Sequence, residues 1–502
     1  MTTPHGDALP VIPRPAELVR QEGAWLFGHE LRVSVADGSL AEVACHLAGE
    51  LDAAGNCRTS VAGAGAGAGA DVRIIGAAEL PADAYRLTVG PDGVVLSAAA
   101  PTGALHGVQT LLQLVSGAHR RRVPAVRIAD QPRFAWRGVM LDCARHFFPA
   151  ATVKRFIDLA ARFKLNRFHW HLTEDQGWRL PIERYPELLR TASRRRESTG
   201  DATPHAGAFT ADEIRDVVRY AQARHVTVVP EVELPGHCAA ALAAYPHLSC
   251  TGGPFEVGTT WGIYKDVYCA GNDAVFAFLE GVFEEVLDLF PGPYVHIGGD
   301  EVPKDRWTAC ARCRQRMGNE GLASPEKLQA WFVRRACSYL RDRERTVIGW
   351  DEVLEGDGPD ADTVIMAWRG ADHGREAARR GHRVIMTPNP STYLNYTPYE
   401  PPRPPGHQTR RLSLETAYAF DPVPPELDEQ EAGRIIGSQA CLWTEYVETQ
   451  ADIDELTWPR LCALAEAAWS ASEARDWSDF RARLSGQAPL FEQLGVARTA
   501  NW

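Results

Sequence analysis

Tyr294-Val295-His296-Ile297-Gly298-Gly299-Asp300-Glu301 is the stretch on which the reading of this chain turns. A short apolar run reads as a strand, two glycines break it, and two adjacent carboxylates follow. Similar runs alternate with helical patterns along most of the sequence. They predict strands at 138–143, 167–172, 227–232, 294–297, 346–349, 363–367, 383–386 and 434–438. Val153, Phe156, Ile157 and Ala160 recur at helical spacing, as do Val275, Phe278, Leu279, Val282 and Phe283. Ser324-Pro325 has the form of a helix start, with Ser as cap and Pro in the first position. Eight strands with helical crossovers predict an α/β fold, a (β/α)8 TIM barrel. An open doubly wound sheet is the alternative. It would normally carry a glycine-rich phosphate loop after its first strand, and Leu141-Asp-Cys-Ala-Arg145 has none.

The chain has 502 residues, which suits a large domain plus an accessory one. Residues 1–130 read as a small α+β domain, with strands at 31–35, 72–75, 85–89 and 94–97 and a helix at 104–114. Residues 131–502 read as the barrel with a C-terminal helical tail. The small-residue tract at 62–70 reads as a flexible loop, and the proline-rich segment at 400–406 as a stiff loop near the barrel rim.

A net charge of −12 argues against a nucleic-acid partner, which needs a basic face. No stretch is long and apolar enough to span a bilayer. The N-terminus shows no basic segment followed by an apolar run, so the expectation is a cytoplasmic protein with reduced thiols. Eleven cysteines are scattered along the chain. Cys310 and Cys313 form a C-x-x-C with no second such pair or paired His at zinc-site spacing, so surface thiols or a local disulfide rank ahead of a metal. Cys250 and Cys269 bracket a glycine-bearing loop and could approach each other. No metal and no cofactor are expected.

Barrel enzymes place their chemistry at the C-terminal ends of the strands. Beyond those ends this chain has Asp142 and Arg145, Glu174 and Asp175, Glu233 and His237, and Asp300 and Glu301. Trp350 and Asp351, Trp368 and Arg369, Tyr393 and Asn395, and Trp443 and Glu445 complete the ring. Aromatic faces stack on the C–H faces of a sugar, while carboxylates and Arg hold its hydroxyls. Two adjacent acids raise each other's pKa, which keeps one protonated and able to act as an acid. The plain alternative is that Asp300 and Glu301 cap the following helix.

Several stretches carry a family resemblance. They are Arg137-Gly-Val-Met-Leu-Asp-Cys-Ala-Arg145-His-Phe-Phe, His169-Trp-His-Leu-Thr-Glu-Asp175-Gln-Gly-Trp178 and Pro230-Glu-Val-Glu-Leu-Pro-Gly-His237. His296-Ile-Gly-Gly-Asp300-Glu301, Ile348-Gly-Trp350, Met366-Ala-Trp368, Thr392-Tyr393-Leu-Asn395 and Leu442-Trp443-Thr-Glu445 follow in order. Together they resemble family 20 glycoside hydrolases, the β-N-acetylhexosaminidases. The resemblance implies an exo-acting retaining hydrolase with substrate-assisted catalysis, in which the substrate's acetamido oxygen is the nucleophile. It makes Glu301 the general acid and then base, and Asp300 the residue that orients the acetamide and stabilises its developing charge.

It also gives Arg145 the 3- and 4-hydroxyls of the sugar and Glu445 the 4- and 6-hydroxyls. Trp350, Trp368 and Trp443 wall the pocket, and Tyr393 donates to the acetamido oxygen. Asp175 and His237 form the supporting pair near the acid. Glu233 and Asn395 stand where many members have Asp, which bears on the second layer of contacts and on hydroxyl selectivity. The partner implied is an N-acetylated amino-sugar glycoside. GlcNAc against GalNAc, the linkage and the oligomeric state are open. A sugar-binding barrel without activity, or a related hydrolase that releases a disaccharide, are the other readings.

Overall fold

The computed structural model describes residues 8–53, 57–63, 69–118, 121–400 and 409–496. The centre of the small-residue tract (64–68) and residues 401–406 of the proline-rich segment lie outside the described residues.

The N-terminal region is a seven-stranded mixed sheet with helices. Its strands are β1 (Glu17–Leu26), β2 (Glu30–Val35), β3 (Arg58–Ala62), β4 (Val72–Gly76), β5 (Tyr85–Gly90), β6 (Gly93–Ala98) and β7 (Arg122–Asp130). Their order across the sheet is β1-β7-β5-β6-β4-β2-β3. Helices α1 (Ala41–Ala53) and α2 (Pro101–Ser116) pack with it over one apolar core that includes Val33, Leu47, Ile74, Leu87, Leu96, Val108 and Leu111. Strands β2, β4, β5 and β6 and helix α2 match the elements expected from sequence. Strands β1, β3 and β7 and helix α1 are additional.

All eight strands expected after residue 131 are present. They are β8 (Trp136–Asp142), β9 (Arg167–His171), β10 (Thr227–Leu234), β11 (Tyr294–Gly298), β12 (Thr346–Trp350), β13 (Val364–Ala367), β14 (Val384–Met386) and β15 (Ile435–Leu442). Each pairs in parallel with the next, and β15 returns to β8 in register from Gly437–Trp136 to Leu442–Leu141. This closure excludes the open doubly wound sheet. The strands are buried on both faces, as parallel strands under helices are, which is why they read as apolar runs rather than alternations. Helices α3 (Ala150–Arg162), α4 (Ala211–Gln222), α5 (Asp273–Leu289), α6 (Pro325–Arg341) and α7 (Ala371–Arg379) make crossovers, and α8 (Arg460–Trp469) follows β15. Between β12 and β13 the crossover is only a 3-10 turn, Asp351–Leu354.

A buried polar network joins the two regions. The Lys164 ammonium is 2.9 Å from Asp130 Oδ2, and both side chains are inaccessible to solvent. Tyr85 Oη, Trp469 Nε1 and the backbone N–H of Ala16 also donate to Asp130. A buried ion pair holds only when its remaining hydrogen-bonding capacity is met, and here it is met from both regions.

Candidate active site

The glycines after β11 set the geometry of the pocket floor. Gly298 has φ +66°, and a Cβ there would lie 1.7 Å from Glu233 Oε2. Gly299 has φ +95°, and a Cβ there would lie 2.3 Å from Val353 Cγ1. Side chains larger than hydrogen are excluded at both positions, so the chain can turn over Glu233 and present Asp300 and Glu301. Glu301 itself has φ +46° and His237 φ +49°. Left-handed backbone at non-glycine residues is costly and clusters at functional sites.

These residues open onto a pocket of about 290 Å³ at the C-terminal end of the barrel. Arg145, His237, Asp300, Glu301, Trp350, Trp368, Tyr393, Asn395, Trp443 and Glu445 all line it. They come from the ends of seven of the eight strands, all but β9, so seven distant segments converge. Asp142, Glu174, Glu233, Asp351 and Arg369 of the expected ring do not line it, and of the residues given a place at the sugar, neither does Asp175. Its side chain is buried, where Oδ1 accepts from Ala239 N at 2.8 Å and Oδ2 stands 3.5 Å from His237 Nδ1. Tyr396 and Arg410 line the pocket without having been expected, and the Arg410 guanidinium donates to Tyr396 Oη at 2.8 Å.

His237 is the hinge of the charge system. Its Nδ1 lies 2.8 Å from Glu174 Oε1, and its Nε2 lies 3.5 Å from both Asp300 Oδ2 and Glu301 Oε2. Its nearest acidic partner is Glu174, and Asp175, expected as its supporting partner, stands beside it at 3.5 Å. Residues 173–178 form a tight two-stranded turn, and the turn rather than the spacing decides which acid faces the imidazole. Burial alone would lower the His237 pKa, but Glu174 and Asp300 more than offset it and hold the ring charged. Burial would likewise raise Glu174, yet Arg145 and His237 hold it down at about 2.

Burial pushes the Asp300 carboxyl up to about 6; His237 opposes that rise and Glu301 adds to it. The rise expected from two adjacent acids is thus found at Asp300, with burial the larger cause. Glu233, beneath the glycines, is pushed up well beyond the carboxylate range by burial and then by Asp300 and Glu231. Below it, Glu231 is buried among His169, His171 and His296. Among the described residues Asp300 Oδ1 is buried without a hydrogen-bond partner, and so are Asn395 Oδ1 and Glu445 Oε2. Burying such atoms unpaired is costly, and a polar ligand in the pocket would satisfy them.

Arg145 is fixed rather than free. It pairs with Glu174 and with Asp142 at 3.3 Å, donates from Nε to Gln176 Oε1 at 3.3 Å, and lies over the Trp443 ring at 4.9 Å. Asp142 also accepts the backbone N–H groups of Ala144, Arg145 and Thr444, which ties the first loop to the last. The aromatic wall is continuous. Trp350 and Trp443 have ring centres 5.9 Å apart, Trp443 and Tyr393 6.1 Å, and Tyr393 and Trp368 6.2 Å with planes near parallel. Trp368 Nε1 donates to Glu352 Oε2 at 2.9 Å, and burial raises that carboxyl to about 9. Sequence reasoning did not single out Glu352, which lies in the 3-10 turn after β12 and looks like a cap.

Comparison with known proteins agrees with this geometry. Residues 134–472 match the model of glycosyl hydrolase family 20, catalytic domain, and residues 8–131 match glycosyl hydrolase family 20, domain 2. A beta-hexosaminidase of Porphyromonas gingivalis is 40% identical over 97% of this chain and 64% of its own length. One from Akkermansia muciniphila is 37% identical over 81% of this chain and 83% of its own. Among solved structures, an exo beta-N-acetylglucosaminidase from Vibrio harveyi in complex with N-acetylglucosamine superposes with a TM-score of 0.90 at 32% identity. The match covers 99% of this chain and 79% of that one.

Proposed function

The chain belongs to glycoside hydrolase family 20, and on that premise we propose that it is a retaining exo-β-N-acetylhexosaminidase that uses the substrate's acetamide as nucleophile. The observation that carries the reading is the placement of the two acids. In the usual retaining scheme one carboxylate attacks the sugar from the face opposite the acid. Here Asp300 and Glu301 leave the same turn, and carboxylate oxygens of both lie within 4.8 Å of each other and of His237. Adjacent residues on one turn reach the pocket from the same strand end, and membership of this family gives the role of nucleophile to the substrate's acetamide. Asp300 then accepts the acetamide N–H and faces the positive charge that builds on it, while the acetamide oxygen closes on the anomeric carbon. Glu301 protonates the departing oxygen. It next takes a proton from the water that opens the bicyclic intermediate, and the β configuration is restored.

A pocket of about 290 Å³ is the size of a single terminal sugar and fits the end of a glycan rather than its middle. Arg145 and Glu445 offer charge-assisted bonds to ring hydroxyls, and Trp350, Trp368, Tyr393 and Trp443 surround the acetamide and sugar faces. Hydrolysis of para-nitrophenyl β-N-acetylglucosaminide and β-N-acetylgalactosaminide, set against the β-glucoside, tests the proposal. Turnover of the N-acetylated substrates alone is expected, because glucose lacks the nucleophile. Comparable rates on the glucoside would refute it.

A further inference from the structure

The C-x-x-C that stood without partners in the sequence has them in the fold. Cys250 and Cys269 converge on Cys310 and Cys313, and all four sulphurs lie within 4.8 Å of one another. The Cys250–Cys313, Cys269–Cys313 and Cys269–Cys310 Sγ separations are 3.7, 3.6 and 3.8 Å. A disulfide needs about 2.05 Å. Four sulphurs bound tetrahedrally at about 2.3 Å from zinc stand about 3.8 Å apart along each edge. The observed separations are those of the second arrangement.

We infer that Cys250, Cys269, Cys310 and Cys313 form a structural zinc site that staples the loop after β10 to the loop after β11. The surrounding backbone is built to hold the four sulphurs. Cys310 begins the helix Ala311–Asn319 and Cys313 lies one turn inside it. Gly271 approaches that turn so closely that a Cβ would lie 2.2 Å from the Arg312 carbonyl carbon. The Cys250 and Cys269 segments are held side by side by the bridge between Ser249 and Tyr268 and by Cys269 N–H donating to Leu248 O at 2.9 Å. The Arg312 guanidinium donates to Ser249 O at 2.9 Å, which ties the two halves.

All-thiolate tetrahedral donors suit zinc, and four protein ligands leave no position open for a reacting molecule. None of the four cysteines lines the sugar pocket. The role is therefore mechanical: one loop carries His237, and the other carries Asp300 and Glu301. Two further links run between the same loops, from Arg306 to Asp266 and from Trp307 Nε1 to Tyr268 O.

The test is metal analysis and thiol counting on the full chain. The purified protein, incubated with zinc chloride and then desalted, is expected to hold one zinc. Denatured with a chelator, it should show all eleven thiols. Cobalt taken up in zinc's place should give an intense thiolate-to-cobalt charge-transfer band. Cys313→Ser should lose the metal and unfold at lower temperature, while Cys45→Ser, at an exposed cysteine far along the chain, should keep it. Should Cys313→Ser fail to fold, zinc content and the cobalt spectrum of the unaltered protein still decide. Seven titratable thiols, which mean two disulfides, would overturn the inference, as would eleven thiols without zinc, or iron in zinc's place.

Discussion

Replacing Asp300 with Asn should make the protein more stable and, at the same time, nearly inactive. The Asp300 carboxyl stands at about 6 against an ordinary 3.8, and its side chain is only 12% exposed, so solvent screens it little. Ionising it in the folded protein therefore costs about 3 kcal/mol more than in the unfolded chain, at 1.36 kcal/mol per pKa unit. The sign follows from proton binding. A raised carboxyl holds its proton more tightly when folded, so its contribution is fully present below pH 3.8 and is lost as pH rises through about 6. Above that pH the native protein carries the whole penalty, and Asn carries none.

The attraction of His237 at 3.5 Å is already contained in that position at about 6, and the ring keeps Glu174 at 2.8 Å. The net stabilisation expected is thus about 2–3 kcal/mol above pH 6, fading away below about pH 4. Urea unfolding of both proteins across that range measures it. In the same variant, turnover should fall by about 10²-fold or more, as when one preorganised stabilising group is removed, and good leaving groups should not rescue it. The unaltered enzyme should lose kcat/KM as pH falls below about 6, where Asp300 takes up its proton. A variant that is less stable at every pH would refute the electrostatic argument. One that kept full activity on good leaving groups would make Asp300 a helix cap and no more.

Glu301→Gln should cost about 10²–10⁴-fold on substrates with poor leaving groups and much less on activated aryl glycosides. A uniform loss across a leaving-group series would make Glu301 structural. At the junction of the two regions, Lys164→Met leaves Asp130 charged and buried, and breaking such a pair costs about 3–5 kcal/mol. The lower end is expected, because Tyr85, Trp469 and Ala16 still donate to Asp130. Denaturant unfolding should recover most of the loss in the Lys164→Met, Asp130→Asn double variant, and no recovery would refute the pairing.

What could be read in advance follows from what each part buries. The eight barrel strands are covered on both faces, so each is an apolar run that ends where polar loop residues begin, and all eight were legible. The missed elements lack that signal. Strand β1 is almost wholly exposed along the sheet edge, β3 is exposed on the opposite edge, and β7 is interrupted by Pro124. Within the site, residue types and motif order pointed to ten of the pocket residues. They could not say that Glu174 comes nearer the imidazole than Asp175, because a two-residue strand pair decides which of two neighbouring acids turns inward. Tyr396 and Arg410 carried no strand-end signature.

The thiol cluster fails differently, and its failure is instructive. The C-x-x-C is local, but its partners lie 41 and 63 positions away in sequence, and no zinc-site spacing rule spans such distances. Topology supplies what spacing lacks. In a parallel barrel every βα loop leaves from the same rim, and consecutive strands are neighbours, so the loops after β10 and β11 must run side by side. The three cysteines of the first loop, Cys238, Cys250 and Cys269, and the two of the second, Cys310 and Cys313, are therefore candidates for contact once the strands are assigned. Thiols in a barrel are better compared loop by loop than counted along the chain. By that comparison Cys238, Cys250 and Cys269 would have been set beside Cys310 and Cys313 from the strand assignment alone, and the fold then leaves Cys238 out of the cluster.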